Sequence, residues 1–98
     1  MARKIKTTKR ASRRFEEIKE YLTEQFGEHT TQRFVRRVFA FYDVISAFPR
    51  IGTLHNPEKG IYGYVLEKPV SVFYRFNENE VVILNFFDNR SDPNRIKH

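Results

Sequence analysis

Hydrophobic residues in the first third of the chain recur at intervals of three and four residues. This spacing places them on one stripe of an α-helix, while the charged residues between Glu16 and Glu20 fill the opposite face. Thr7 or Thr8 can cap the start, because a threonine hydroxyl accepts a hydrogen bond from the first free amides, and Gly27 can end the helix. The pattern predicts a first helix whose stripe comprises Ala11, Phe15, Ile18, Leu22 and Phe26.

A second helical stripe follows and begins near Thr30 or Thr31. Pro49 ends it, because proline lacks the amide donor that continues a helix. Roughly two to four residues separate the two helices, so they must pack as an antiparallel hairpin. The apolar positions of this second helix are Phe34, Val38, Phe41 or Tyr42, Ile45 and Phe48.

Three β-strands are predicted in the second half of the chain, at residues 61–67, 70–76 and 80–87. The connections Lys68-Pro69 and Asn77-Glu78-Asn79 consist of turn-forming residues. Such short connections leave no room for a crossover, so neighbouring strands must be antiparallel. The helical hairpin and this sheet together predict an α+β fold.

The last strand is apolar on both of its faces, which is typical of a strand inside a sheet and not at its edge. It is therefore predicted to be the central strand. Strict alternation divides its side chains into two sets, Val81, Ile83 and Phe87 on one face and Val82, Leu84 and Phe86 on the other.

The middle strand predicts which face of the sheet the helices cover. Val70, Val72, Tyr74 and Phe76 share one face and should pack against the hairpin, whereas Phe73 lies on the other face. Tyr62 or Tyr64 and one set from the last strand should join Phe73 there, where no remaining segment is left to cover them. An uncovered apolar face usually marks a binding partner.

Two segments show no clear period. Residues 3–7 contain a single apolar residue, Ile5, between charged ones, which is a weak strand signal. Residues 50–60 contain Gly, Pro and Asn and are predicted to be a loop that returns the chain to the sheet.

Composition limits the chemistry that this chain can perform. Its 98 residues suffice for one domain, 1–98, with a single core and a site on the surface. There is no cysteine, and His29, His55 and His98 are scattered, so neither a metal site nor a cofactor is predicted. No apolar run is long enough to span a membrane, and the cytoplasm is the expected location.

The net charge of +6 is concentrated near the N-terminus. Seven of the eighteen Lys and Arg residues precede Glu16, the first acidic residue. This field would favour nucleic acid or an acidic protein partner, or it forms a solvated face that aids solubility. Arg10, Arg13 and Arg14 are the candidate contacts on the first helix. They have no Asn or Gln beside them to read bases, which disfavours a standalone DNA-binding module.

Seven segments, taken in order along the chain, resemble the RelE/ParE superfamily of toxins from bacterial type II toxin–antitoxin systems. They are the basic N-terminal segment, Thr8-Lys9-Arg10-Ala11, Phe26-Gly27-Glu28, Phe48 to Gly52, Lys59-Gly60-Ile61, Phe73 to Phe76, and Asn85 to Pro93. The resemblance implies a β-α-α-β-β-β order, in which the N-terminal strand joins a three- to four-stranded, mainly antiparallel sheet and the helical hairpin packs on one face.

The same resemblance implies a cognate antitoxin whose C-terminal segment wraps the toxin. Operator DNA would be contacted only through the complex of the two proteins. Tyr62, Tyr64 and Phe73 are the residues expected to bind the antitoxin, because they are the candidates for the uncovered face.

Members of the superfamily differ in function, and two alternatives are open. RelE-like members are ribosome-dependent messenger-RNA endonucleases, which need an acid–base group and cations around the scissile phosphate. For this alternative the catalytic candidates are Arg90, Arg75 and Lys68. The segment Tyr62 to Val65 lacks the expected cations, however, and no tyrosine follows Arg90.

ParE-like members bind DNA gyrase and need no catalytic groups, so the missing cations favour this function. Arg90 would then be a contact to the target, together with Arg10, Arg13 and Arg14. A degenerate or retargeted member is the third alternative.

Overall fold

The computed structural model describes residues 2–67 and 70–88. Within them two helices are followed by a β-sheet, as the α+β prediction requires. The elements in chain order are β1 (Lys4–Thr7), α1 (Lys9–Phe26), α2 (Glu28–Ala47), a short 3₁₀ helix (Pro49–Ile51), β2 (Thr53–Asn56), β3 (Ile61–Glu67), β4 (Val70–Phe76) and β5 (Glu80–Asp88).

Thr8 begins α1 and also fixes this helix to the sheet. Its Oγ1 accepts a hydrogen bond from the Ala11 N–H at 3.0 Å, which confirms the predicted cap. The same hydroxyl donates to the Leu84 carbonyl at 3.0 Å. Because the Thr8 N–H also donates to the Ile83 carbonyl, the start of α1 is held directly against β5.

Gly27 alone connects the two helices. It has a φ of 92°, a conformation that L side chains rarely adopt, so it ends α1 as predicted. The second helix begins at Glu28, which is earlier than the predicted start at Thr30 or Thr31. Thr31 instead lies in the buried contact between the helices, where its hydroxyl is 2.7 Å from that of Thr23.

The sheet has five strands in the order β1-β5-β4-β3-β2. The N-terminal strand β1 pairs with β5 in parallel, and the other pairs are antiparallel. The prediction that the last strand is central is wrong, because β4 occupies the centre; β5 is nevertheless an interior strand, as its two apolar faces indicated. The additional edge strand is β2, which lies in the segment predicted as a loop.

The helices cover one face of the sheet, and the core lies between the two layers. As predicted, Val70, Val72 and Tyr74 of β4 face the helices and are fully buried. The other buried apolar residues are Ala11, Ile18 and Leu22 of α1, Phe34, Val38, Phe41 and Ile45 of α2, Leu66 of β3, and Val81, Ile83 and Phe86 of β5.

A bulge in β5 changes which side chains reach the core. Tyr74 is opposite Ile83, but Phe73 is opposite Asn85, so Leu84 is an extra residue in the ladder. Beyond the bulge Phe86 is buried in the core and Phe87 is 37% exposed. The predicted grouping of Phe87 with Val81 and Ile83 is therefore wrong.

A hydrogen-bonded clamp joins the end of α2 to the sheet. The Tyr74 hydroxyl donates to the Pro49 carbonyl at 2.6 Å and accepts from the Gly52 N–H at 3.1 Å. A Cβ at position 52 would lie 2.6 Å from the Tyr74 hydroxyl and 2.8 Å from the Gly63 carbonyl, so only glycine fits there. This clamp sets the position at which β2 begins.

Candidate functional site: the open face of the sheet

The face of the sheet opposite the helices, here called the open face, is the candidate site. It carries the side chains that alternate with the buried ones along each strand. They are His55 of β2, Val65 of β3, Ser71, Phe73 and Arg75 of β4, and Val82 and Phe87 of β5. None of the described helices covers them.

Phe73 lies at the middle of the open face, where a glycine makes room for its ring. A Cβ at Gly63 would be 3.1 Å from the Phe73 ring, so the phenylalanine lies directly over the backbone of β3. The His55 ring packs against the same phenylalanine, with 5.2 Å between the ring centroids. Phe73 is therefore where the sequence pattern placed it, on the uncovered side of the sheet.

A shallow hollow of about 430 Å³ adjoins Phe73. Apolar and small residues form most of it, which is typical of a surface that accepts a side chain from another molecule. Its lining comprises Ile51, Gly52, Thr53, His55, Gly63, Tyr64, Val65, Ser71 and Phe73.

The open face exposes apolar surface to solvent. Val65 is 62% exposed and Phe87 is 37% exposed, whereas the other face of the sheet packs against the helices. The predicted uncovered apolar face is thus confirmed. Sequence reasoning did not single out Val65, although its alternation with Gly63 along β3 was a signal that could have identified it.

Tyr62 and Tyr64 lie on the helix side of the sheet, so the expectation that one of them faces the open side is wrong. They are opposite Tyr74 and Val72 in the β3–β4 register, and these two residues are buried in the core. Tyr62 stacks on Tyr74 with centroids 5.7 Å apart, and Tyr64 stacks on Phe41 at 4.6 Å. The antitoxin contact expected of the two tyrosines remains a prediction.

Only one of the three catalytic candidates, Arg75, lies within the described residues. Arg75 is exposed on the open face, opposite Val82, whereas Lys68 and Arg90 lie outside the described residues. Glu80, a carboxylate on the neighbouring strand β5, pairs with Lys6 at 3.0 Å. Among residues 2–67 and 70–88, Arg75 makes no ion pair.

The basic residues predicted on α1 are separated from the open face by the sheet. Arg10 and Arg13 are exposed on this helix. Arg14 is partly buried and pairs with Glu17 at 2.8 Å. These arginines therefore do not form one site with Arg75.

The described residues contain no cluster of three or more His, Cys, Asp or Glu side chains that could hold a metal ion. No helix among them is both long and apolar enough to cross a membrane.

Comparison with known families identified one matching model, which describes the ParE toxin of the type II toxin–antitoxin system parDE. It matches residues 5–93. A comparison with curated proteins gave no match.

Among solved structures, the chain is similar to one described as a chromosomal ParDE TA system from P. aeruginosa. The TM-score is 0.73 and the sequence identity is 18%, with 89% of this chain and 96% of that chain covered. At this identity the likeness supports the fold alone.

Proposed function

Because the chain belongs to the ParE toxin family of type II toxin–antitoxin systems, we propose that it inhibits bacterial growth by binding DNA gyrase in the cytoplasm. It acts as a binding protein and does not catalyse a reaction. A cognate antitoxin is its partner and neutralises it. Operator DNA is recognised specifically only through the complex of the two proteins.

The observation that carries this proposal is the apolar character of the open face. A nuclease on this face would need a general base, an acid and cations around the scissile phosphate. The strand β3 instead presents Gly63 and Val65 there, and Phe73 occupies the middle of the face. Exposed apolar surface of this kind is typical of a site that binds protein.

The competing function is that of a ribosome-dependent messenger-RNA endonuclease. One observation favours it: His55 and Arg75 both lie on the open face, and an imidazole and a guanidinium are suitable groups for ribonucleolytic chemistry. Arg90 and Lys68 would have to complete such a site. The proposal assigns His55 a packing role against Phe73 instead.

Inducing the chain alone in a bacterial host distinguishes the two functions. DNA synthesis, protein synthesis and transcript ends are followed during the first minutes. We expect replication to stop while transcripts remain intact, and the purified chain should inhibit supercoiling by gyrase. Loss of translation with new cuts inside reading frames would refute the proposal.

The variant His55→Gln is the control for the catalytic alternative. Glutamine keeps a polar side chain but cannot exchange a proton near neutral pH. The binding mechanism predicts that this variant remains toxic, because no proton transfer is involved. A loss of both toxicity and transcript cleavage would assign His55 to a nuclease site.

A further inference from the structure

Basic side chains from four separate segments lie around Phe76, at the end of the sheet where β4 turns into β5. Arg3 precedes β1, Arg50 lies in the 3₁₀ helix, Lys59 lies in the turn before β3, and Arg75 is near the end of β4. This group is called the basic end. Because these residues are so far apart in sequence, only the folded chain forms it.

Two of the guanidinium groups share one aromatic ring. Those of Arg3 and Arg50 lie 5.5 Å and 5.4 Å from the centroid of Phe76. Arg3 Nε also donates to the Asn77 carbonyl at 2.6 Å, and Arg50 Nη1 donates to the Tyr62 hydroxyl at 3.3 Å. Each side chain is thus held in place while most of its five donors remain available to a ligand.

Lys59 and Arg75 line a hollow of about 240 Å³ that also reaches Phe76. Its single carboxylate, Glu80, is paired with Lys6 at 3.0 Å. Within the described part of the chain, neither Lys59 nor Arg75 has an ion-pair partner. The two cations that line the hollow are therefore available to pair with an anion from another molecule.

Stability of the fold does not account for this arrangement. The C-terminal end of α2 attracts cations, and this attraction can account for Arg3, whose backbone N–H donates to the Ser46 carbonyl there. It does not explain Lys59 and Arg75, which lie on the other side of Phe76. Bringing like charges together raises the free energy of the folded state unless an anion binds between them.

We propose that the basic end binds the phosphate backbone of nucleic acid without reading its sequence. Phosphate is favoured over an acidic protein segment by the lining of the hollow, in which only Phe76 and Val82 are apolar. Interfaces with nucleic acid are polar and strongly positive, whereas protein interfaces have an apolar centre. This contact differs from gyrase binding, which the apolar part of the open face would provide, although Arg75 and Val82 belong to both surfaces.

Fluorescence anisotropy with a short labelled DNA duplex of arbitrary sequence, at a series of salt concentrations, tests this proposal. Each double variant, Arg3→Gln with Arg50→Gln or Lys59→Gln with Arg75→Gln, should weaken binding at low salt by roughly tenfold or more. Each should also reduce the slope of log K against log salt by roughly 2, because two phosphate contacts are lost.

A matched control removes the same charge elsewhere. Arg33 and Arg36 are exposed on α2, so Arg33→Gln with Arg36→Gln should leave the affinity nearly unchanged. The double variant Glu58→Gln with Glu78→Gln should change the affinity in the opposite direction to the basic-end variants. It removes two exposed carboxylates in the turns beside the basic end. This variant should bind the duplex more tightly, which no loss of folding can imitate.

Three results would overturn the proposal. Equal weakening by the α2 control would show that net charge alone drives binding. Loss confined to Arg10→Gln with Arg13→Gln would place the contact on α1. Binding to a labelled polyglutamate peptide, but to neither the duplex nor a single-stranded RNA, would identify an acidic protein segment as the ligand.

Discussion

At the scale of single residues, Tyr74 joins the sheet to the segment after α2 by hydrogen bonds that no sequence pattern predicted. Its ring is buried between α2 and the sheet, and its hydroxyl bonds to Pro49 and Gly52. The segment from Phe48 to Gly52, which contributed to the family resemblance, therefore has a structural role. It supplies the two backbone groups that this tyrosine holds.

Replacing Tyr74 by Phe should lower the free energy of unfolding by about 1–3 kcal/mol, because a buried carbonyl and a buried amide lose their partner. Urea denaturation measures the change. Tyr42→Phe is the matched control, since no hydrogen bond of the Tyr42 hydroxyl is found among the described residues, and it should have little effect at neutral pH. Equal losses in the two variants would contradict the role of the clamp.

Stability should also decline at alkaline pH. Burial raises the pKa of Tyr42 to about 12, and burial likewise raises that of Tyr74. An unfolded tyrosine ionises near pH 10. Above that pH the unfolded chain loses protons that the folded chain retains, so the free energy of unfolding falls as pH rises from about 10 to about 12.

Urea denaturation at a series of pH values up to about 12 checks this expectation. In Tyr42→Phe the decline should be shallower, because one raised pKa has been removed. A decline of unchanged steepness would show that Tyr42 does not contribute.

At the scale of elements, the strands with a hydrophobic period were predicted nearly to the residue, and the others were not. Strands β3 and β4 have the predicted bounds. The edge strand β2 was missed because the side chains of Thr53, Leu54 and His55 are exposed, so burial imposes no alternation on them. The start of α2 was misplaced because Gly27, which ends α1, is also the cap from which α2 begins.

The candidate site was predictable only where it follows from alternation within one strand. Phe73 was placed correctly from the pattern of β4. The faces of Tyr62 and Tyr64 depend on how β3 is aligned with β4, and the sequence of one strand does not contain that register. The sequence of β5 likewise does not predict the bulge at Leu84, because the Thr8 hydroxyl that donates to the Leu84 carbonyl comes from a distant part of the chain.

The bulge makes two adjacent phenylalanines unequal. Phe86→Ala should lower the free energy of unfolding by about 3–5 kcal/mol, because Phe86 is fully packed in the core. Phe87→Ala should cost much less, since that side chain is on the open face. Urea denaturation of both variants measures the difference. A larger loss of stability for Phe87→Ala than for Phe86→Ala would mean that the side chains of β5 alternate strictly, without a bulge.

At the scale of the whole molecule, the two faces of the sheet differ in what covers them. One face packs against the chain's own helices, whereas the open face carries Val65, Phe73 and Phe87 and is not covered by them. We expect the antitoxin to cover this face, because an apolar surface of this kind is stabilised by a protein partner.

The variant Phe73→Asp should abolish the complex with the cognate antitoxin, because it places a charge at the middle of the apolar surface. Isothermal titration calorimetry measures the affinity. Phe39→Asp is the control, since Phe39 is 57% exposed on α2, in the layer on the other side of the sheet. Binding of Phe73→Asp with wild-type affinity would mean that the antitoxin uses another surface.

The pairing of β1 with β5 determines the order in which this protein can fold during synthesis. Ile5 is opposite Val81, so β1 must wait for β5 to be synthesised before it can pair. The helical hairpin needs only local contacts and can form early, but the sheet is completed only after β5 has been translated. A truncated product that ends before β5 would therefore leave its N-terminal segment unpaired, and it would not assemble the basic end.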